Sequence, residues 1–82
     1  MNINLLIKYI DGTEKSVVAI AADIVAFEAR FDISVATLEK NVRLTHLMFM
    51  AWNIERRTGQ TKDEFEKWIE TVEIVTADDS KK

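Results

Sequence analysis

The chain has no cysteine, which excludes disulfides and thiolate metal sites and fits a reducing compartment. It has no proline and no low-complexity stretch that would mark a linker. Its only glycines are Gly12 and Gly59, too few to build a glycine-rich phosphate cradle, and neither G-x-x-x-x-G-K-[ST] nor G-x-G-x-x-G occurs. The single histidine, His46, stands in no H-E-x-x-H motif. Without cysteine, and with no serine in a recognisable nucleophile setting, it completes no triad. It reads as a boundary or surface residue of a helix, or as a pH-sensitive interface group. No window of about 18 apolar residues exists to span a membrane. The N-terminus lacks the basic region of a secretion signal, so a soluble cytosolic protein is expected.

What is present fits one small globular domain. There are 82 residues, 48% of them hydrophobic, above the range of disordered chains. The net charge of −3 argues against a general nucleic-acid binder, which usually carries a basic stripe.

Ile3, Leu5, Ile7 and Tyr9 recur at period two, as in a half-buried strand. Asp11-Gly12 is a strong hairpin signal, and Thr13 to Ile20 supply the return strand. A two-residue loop would pair Leu5 with Val18 and set Lys8 against Lys15, which like charge disfavours. A three-residue bulged loop would relieve that clash. Both registers remain open at this level.

Ile24, Phe27 and Phe31 mark a short amphipathic helix over residues 22–32, with Asp23 near its positive end. Glu28 and Asp32, one turn apart, read as a solvated face. Ser34 or Thr37 is expected to cap a long helix from about residue 37 to Thr58. Leu38, Val42, Thr45, Phe49 and Trp52 form one of its stripes, and Leu47, Met50 and Ile54 another. Gly59 should close it, with Arg56 and Arg57 in its last turn. Thr61 and Glu64 have capping-box spacing. They predict a third helix that buries Phe65, Trp68, Ile69 and Val72 and extends briefly over Glu73 to Thr76. Its carboxylates Glu64, Glu66, Glu70 and Glu73 read as solubilising. The expected fold is α+β in the order ββααα: a hairpin on a central helix with two shorter helices beside it. The domain should span 1–76, and 77–82 should fray.

The run Leu47 to Trp52 is apolar all round, so the long helix is either central or covered on one side by a partner. Leu44, Leu47, Met48 and Met50 are the candidate partner-binding residues, since methionine adapts to varied shapes. The alternative is that they simply fill the core. Arg43, Arg56 and Arg57 are a candidate basic patch. No cofactor, metal or catalytic residue is expected, and the chain reads as a binder of proteins and not an enzyme.

Three segments carry a resemblance: D-G-T-E from Asp11 to Glu14, R-L-T-H-L-M-F-M-A-W-N-I-E-R-R-T-G-Q-T from Arg43 to Thr61, and D-E-F-E-K-W-I-E-T-V-E-I-V from Asp63 to Val75. In this order they resemble small tail assembly proteins, or tail assembly chaperones, of tailed bacteriophages. The resemblance spans nearly the whole chain. It implies a factor that keeps the long helical tape measure protein soluble while tail subunits polymerise around it. The partners would be phage tail proteins, self-association is compatible, and the location would be the host cytoplasm or the virion. A head–tail connector component would suit the same composition. A small phage regulator that binds nucleic acid or a host protein is the third reading.

Overall fold

The structure, a computed structural model, describes residues 3–32 and 43–77. It is an α+β fold. Strands β1 (Ile3–Tyr9) and β2 (Glu14–Ala19) lead into helix α1 (Ala21–Phe31). Helix α2 (Leu44–Arg57) is followed by the single-turn helix α3 (Phe65–Trp68), a 3₁₀ turn (Ile69–Thr71) and strand β3 (Val72–Ala77). The sheet is antiparallel with strand order β2-β1-β3.

The hairpin takes the three-residue loop. Gly12 N–H donates to Tyr9 O at 3.0 Å, and Tyr9 N–H donates to Thr13 O at 2.9 Å. Gly12 has φ +95°, a left-handed conformation that glycine adopts without the Cβ penalty. Asp11 Oδ1 accepts from Thr13 N–H at 3.0 Å and from its hydroxyl at 2.7 Å, which closes the turn. Leu5 therefore pairs with Val17, and Lys8 faces Glu14 instead of Lys15. Leu5, Ile7 and Ala19 turn inward and are fully buried, while Ser16 and Val18 turn outward.

Helix α2 begins at Leu44, because Arg43 is extended with φ −118° and ψ 154°. The expected start near residue 37, with its Ser34 or Thr37 cap and the stripe positions Leu38 and Val42, lies outside the described residues. The predicted stop is observed. Gly59 has φ +82°, Gln60 N–H donates to Glu55 O at 2.8 Å, and Gly59 N–H donates to Arg56 O at 3.3 Å. This pair of bonds is the Schellman closure.

The third helix differs from expectation. Thr61 Oγ1 accepts from Asp63 N–H at 3.2 Å, and Glu64 becomes the N-cap residue, so the capping box does not form. Helix α3 gives way to the 3₁₀ turn after Trp68, whose carbonyl accepts from the Thr71 hydroxyl at 2.7 Å. The next segment, Val72-Glu73-Ile74-Val75-Thr76, pairs with β1. Its β-branched side chains are stiff at χ1 and suit a pleated surface. An irregularity beside Lys8 and Tyr9 pairs Tyr9 with Val72 and Lys8 with Ile74, so Glu73 is the extra residue. The bulge lets both Val72 and Val75 reach the core. Phe65, Trp68, Val72 and Val75 thus mimic a helical repeat while spanning a helix turn and a bulged strand. Because β3 reaches Ala77, the expected fraying tail does not start there; residues 78–82 lie outside the described residues.

The core gathers Leu5, Ile7, Phe27, Leu47, Phe49, Met50, Ala51, Ile54, Phe65, Trp68, Val72 and Val75. Helix α2 packs against all three strands, α1 and α3. No helix among the described residues is long and apolar enough to cross a membrane.

Candidate functional site

The residues proposed on α2 separate in the structure. Met50 is fully buried and Leu47 is 7% exposed, so both belong to the core. Met48 is half-buried against that core. Of the four, only Leu44 is exposed, at 46%. The sheet covers α2 on one side and α1 and α3 cover others, so the apolar rod is largely enclosed by its own domain.

The three arginines do not form one patch. Arg43 and Arg56 are thirteen residues apart along α2, roughly 20 Å at 1.5 Å per residue. Arg57 is committed to Asp23: Nε donates to Oδ1 at 3.0 Å and Nη2 to Oδ2 at 2.8 Å. Asn53 Nδ2 and Ile20 N–H also donate to that carboxylate, at 2.9 and 3.0 Å. Asp23 is fully buried. Burial by itself would raise its pKa, but the Arg57 fork and the other donors outweigh it and hold the pKa below the usual carboxylate range.

A second buried carboxylate, Glu55, lies at the floor of an open pocket of about 330 Å³, with Asp11 and Asp63 at its rim. Its Oε1 accepts from the Tyr9 hydroxyl at 2.8 Å and from Trp68 Nε1 at 3.2 Å. Its Oε2 accepts from Lys15 Nζ at 2.9 Å, and Lys15 also reaches Gln60 Oε1 at 3.2 Å. Burial opposes the charge on Glu55, but these donors prevail and lower its pKa. A carboxylate so saturated is a poor proton acceptor. Its chemistry is to tie β1, β2, α2 and α3 together. No group of three His, Cys, Asp or Glu side chains that could hold a metal occurs among the described residues.

An aromatic wall runs between α1, α2 and α3. Phe31 and Phe49 centroids are 5.4 Å apart, Phe49 and Phe65 5.9 Å, and Phe65 and Trp52 5.7 Å. His46 meets the edges or faces of Phe27 and Phe31 at 5.3 and 4.8 Å. Its buried Nδ1 has no hydrogen-bond partner among the described residues. Burial first, and then the charge of Arg43, lower its pKa.

The solvent side of α1 is the feature that sequence reasoning passed over. Ala21, Ala22, Val25 and Ala29 are all exposed and fall in one sector of about 100°. Val25 is 63% exposed. The helix buries Asp23 and presents an apolar strip to water. The signal lies in the alanine spacing, whereas Phe27 and Phe31 mark only the inward face. Nearby in the chain, Val18 and Ile20 are also exposed. No family model, curated protein or solved structure matches this chain.

Proposed function

We infer that this chain is a protein-binding factor, and that the α1 strip receives a helical segment of its partner. The observation that carries this reading is the exposed apolar sector Ala21, Ala22, Val25 and Ala29. Small side chains let a second helix approach closely, and a row of exposed apolar residues loses unfavourable hydration when covered. Solvated helix faces are normally polar, so the strip is better explained by a partner than by the fold.

Together with the resemblance of Arg43 to Thr61 and Asp63 to Val75 to phage tail assembly proteins, this favours a tail assembly chaperone. Its partner is then a long helical tail protein of the tape measure kind. Co-expression with the tail proteins encoded beside its gene, followed by affinity capture, tests the proposal. A tape measure protein should co-purify with the wild type and be lost with Val25→Glu, while the thermal midpoint stays within a few degrees. Capture undiminished by Val25→Glu would exclude the α1 strip. Absence of tail proteins from the captured material would exclude tail assembly. Mass spectrometry of finished particles separates a chaperone, which should be missing, from a connector component.

A further inference from the structure

Two cations on the aromatic wall take no part in the ion pairs among the described residues. The Arg30 guanidinium carbon lies 5.2 Å from the Phe49 centroid, 5.7 Å from Phe65 and 5.9 Å from Phe31. The Arg56 guanidinium carbon lies 5.4 Å from Trp52, and its Nη1 donates to Asp63 O at 3.2 Å. Trp52 is fixed in turn by donating Nε1–H to the same carbonyl at 2.9 Å. Both arginines are exposed.

A guanidinium stacked on a ring keeps its in-plane N–H groups free, and those groups match a carboxylate with two parallel bonds. Stacking also orients the side chain in advance, so less freedom is lost on binding. Arg30 donates to no described residue, and Arg56 uses one donor on a carbonyl.

We propose that Arg30 and Arg56 form a docking site for carboxylate side chains of an acidic protein segment. This deepens the protein-binding reading and rests on it. The complementarity is local: two guanidinium groups held over rings on a chain whose net charge is −3. A nucleic acid, with a phosphate at every step, would bring many charges against Asp63, Glu64 and Glu66 beside the same wall. Spaced carboxylates bring fewer charges and less of that repulsion.

Fluorescence anisotropy with a labelled twelve-residue peptide of Asp, Glu and Ser tests the site on the intact chain. Saturable binding at 50 mM salt should weaken at least tenfold in Arg30→Gln/Arg56→Gln. It should weaken comparably in Arg30→Lys/Arg56→Lys, which keeps the charges and loses the forks. Lys8→Gln, on the outer face of the hairpin, should bind within about threefold of wild type, and the peptide assay does not use the α1 strip, so failure of that strip remains a separate result. In ¹H–¹⁵N spectra of the wild type, the peptide should shift the Trp52 indole resonance and leave that of Trp68 in place. Absence of saturable binding, full affinity in either double variant, a shift at Trp68 alone, or tighter binding of a twelve-nucleotide single strand than of the peptide would each overturn the proposal.

Discussion

Lys15 Nζ lies 2.9 Å from Glu55 Oε2, and the hairpin register puts it there. With a three-residue loop Lys15 pairs with Ile7 on the inner face of the sheet, and Lys8 comes within 3.9 Å of Glu14. A slip of one residue would turn Lys15 to the outer face and set it against Lys8. One turn geometry thus removes a repulsion and supplies the cation for a buried acid.

Glu55→Ala should therefore destabilise strongly, by about 3 kcal/mol or more, because donors on Tyr9 and Trp68 lose a charged acceptor. Tyr9→Phe should cost about 1–2 kcal/mol. Urea unfolding measures both. Burial first, and then the bond to Glu55 and its charge, raise the Tyr9 pKa. Its contribution is complete below the unfolded value of about 10 and is lost as pH rises beyond it. Tyr9→Phe should flatten that alkaline limb.

Gly12→Ala should cost about 1–2 kcal/mol through its positive φ. A Cβ there meets nothing within 4 Å, so the penalty is purely conformational. Gly12→Asn, which tolerates the left-handed region better, should cost less. Thermal melts of the two variants give the comparison, and equal losses would contradict the assignment of the turn.

His46 sets an acid-side weakness. Its folded pKa is lowered by burial and then by Arg43, so the neutral ring is favoured in the fold. Its stabilisation is whole above the unfolded value of about 6.5 and declines as pH falls from there toward the lowered folded value. His46→Phe should remove the slope of unfolding free energy across that interval. An unchanged slope would mean that another group titrates.

Asp23 and Arg57 tie α1 to α2. Arg57→Met should destabilise, though less than a wholly unpaired buried acid would, since Asn53 and Ile20 N–H remain as donors. Arg57→Lys should fall between, keeping charge without the two-pronged bond. Asp23 and Glu55 both have lowered pKa values. Their contributions are therefore present above unfolded values of about 4 and are lost as pH falls through the folded ones. Acid titration of the wild type and Arg57→Met should show a smaller loss below pH ~4 in the variant.

Truncations along α2 distinguish core from surface. Met50→Ala and Leu47→Ala should each cost about 2–5 kcal/mol, because both are buried. Leu44→Ala should stay within about 0.5 kcal/mol. Denaturant midpoints report the difference, and a small loss at Met50 would reopen the enclosure of α2.

Much of the architecture was legible in local pattern. Period-two spacing in Ile3 to Tyr9 identified β1, and Asp11-Gly12 identified the turn without its length. Gly59 marked the end of α2 because only a few residues tolerate its backbone angle. Glu55 also left a trace: it continues the Leu47–Ala51 row at the next helical step, a carboxylate on an apolar stripe. Its partners Tyr9 and Lys15 left none, since no local rule joins β1 and β2 to the end of α2.

By itself the sequence determined the elements whose signals are local: the hairpin, the inward face of α1, and the closure at Gly59. Tertiary structure decided the rest. Val72 to Ala77 became a strand because β1 had an edge to pair and a bulge at Glu73 reconciled three-residue spacing with a pleated sheet. Met50 became core because strands distant in sequence close over it, and alanines of α1 became surface because none of the described residues does. Burial depends on what the chain brings back against itself, and periodicity reports only that a face exists.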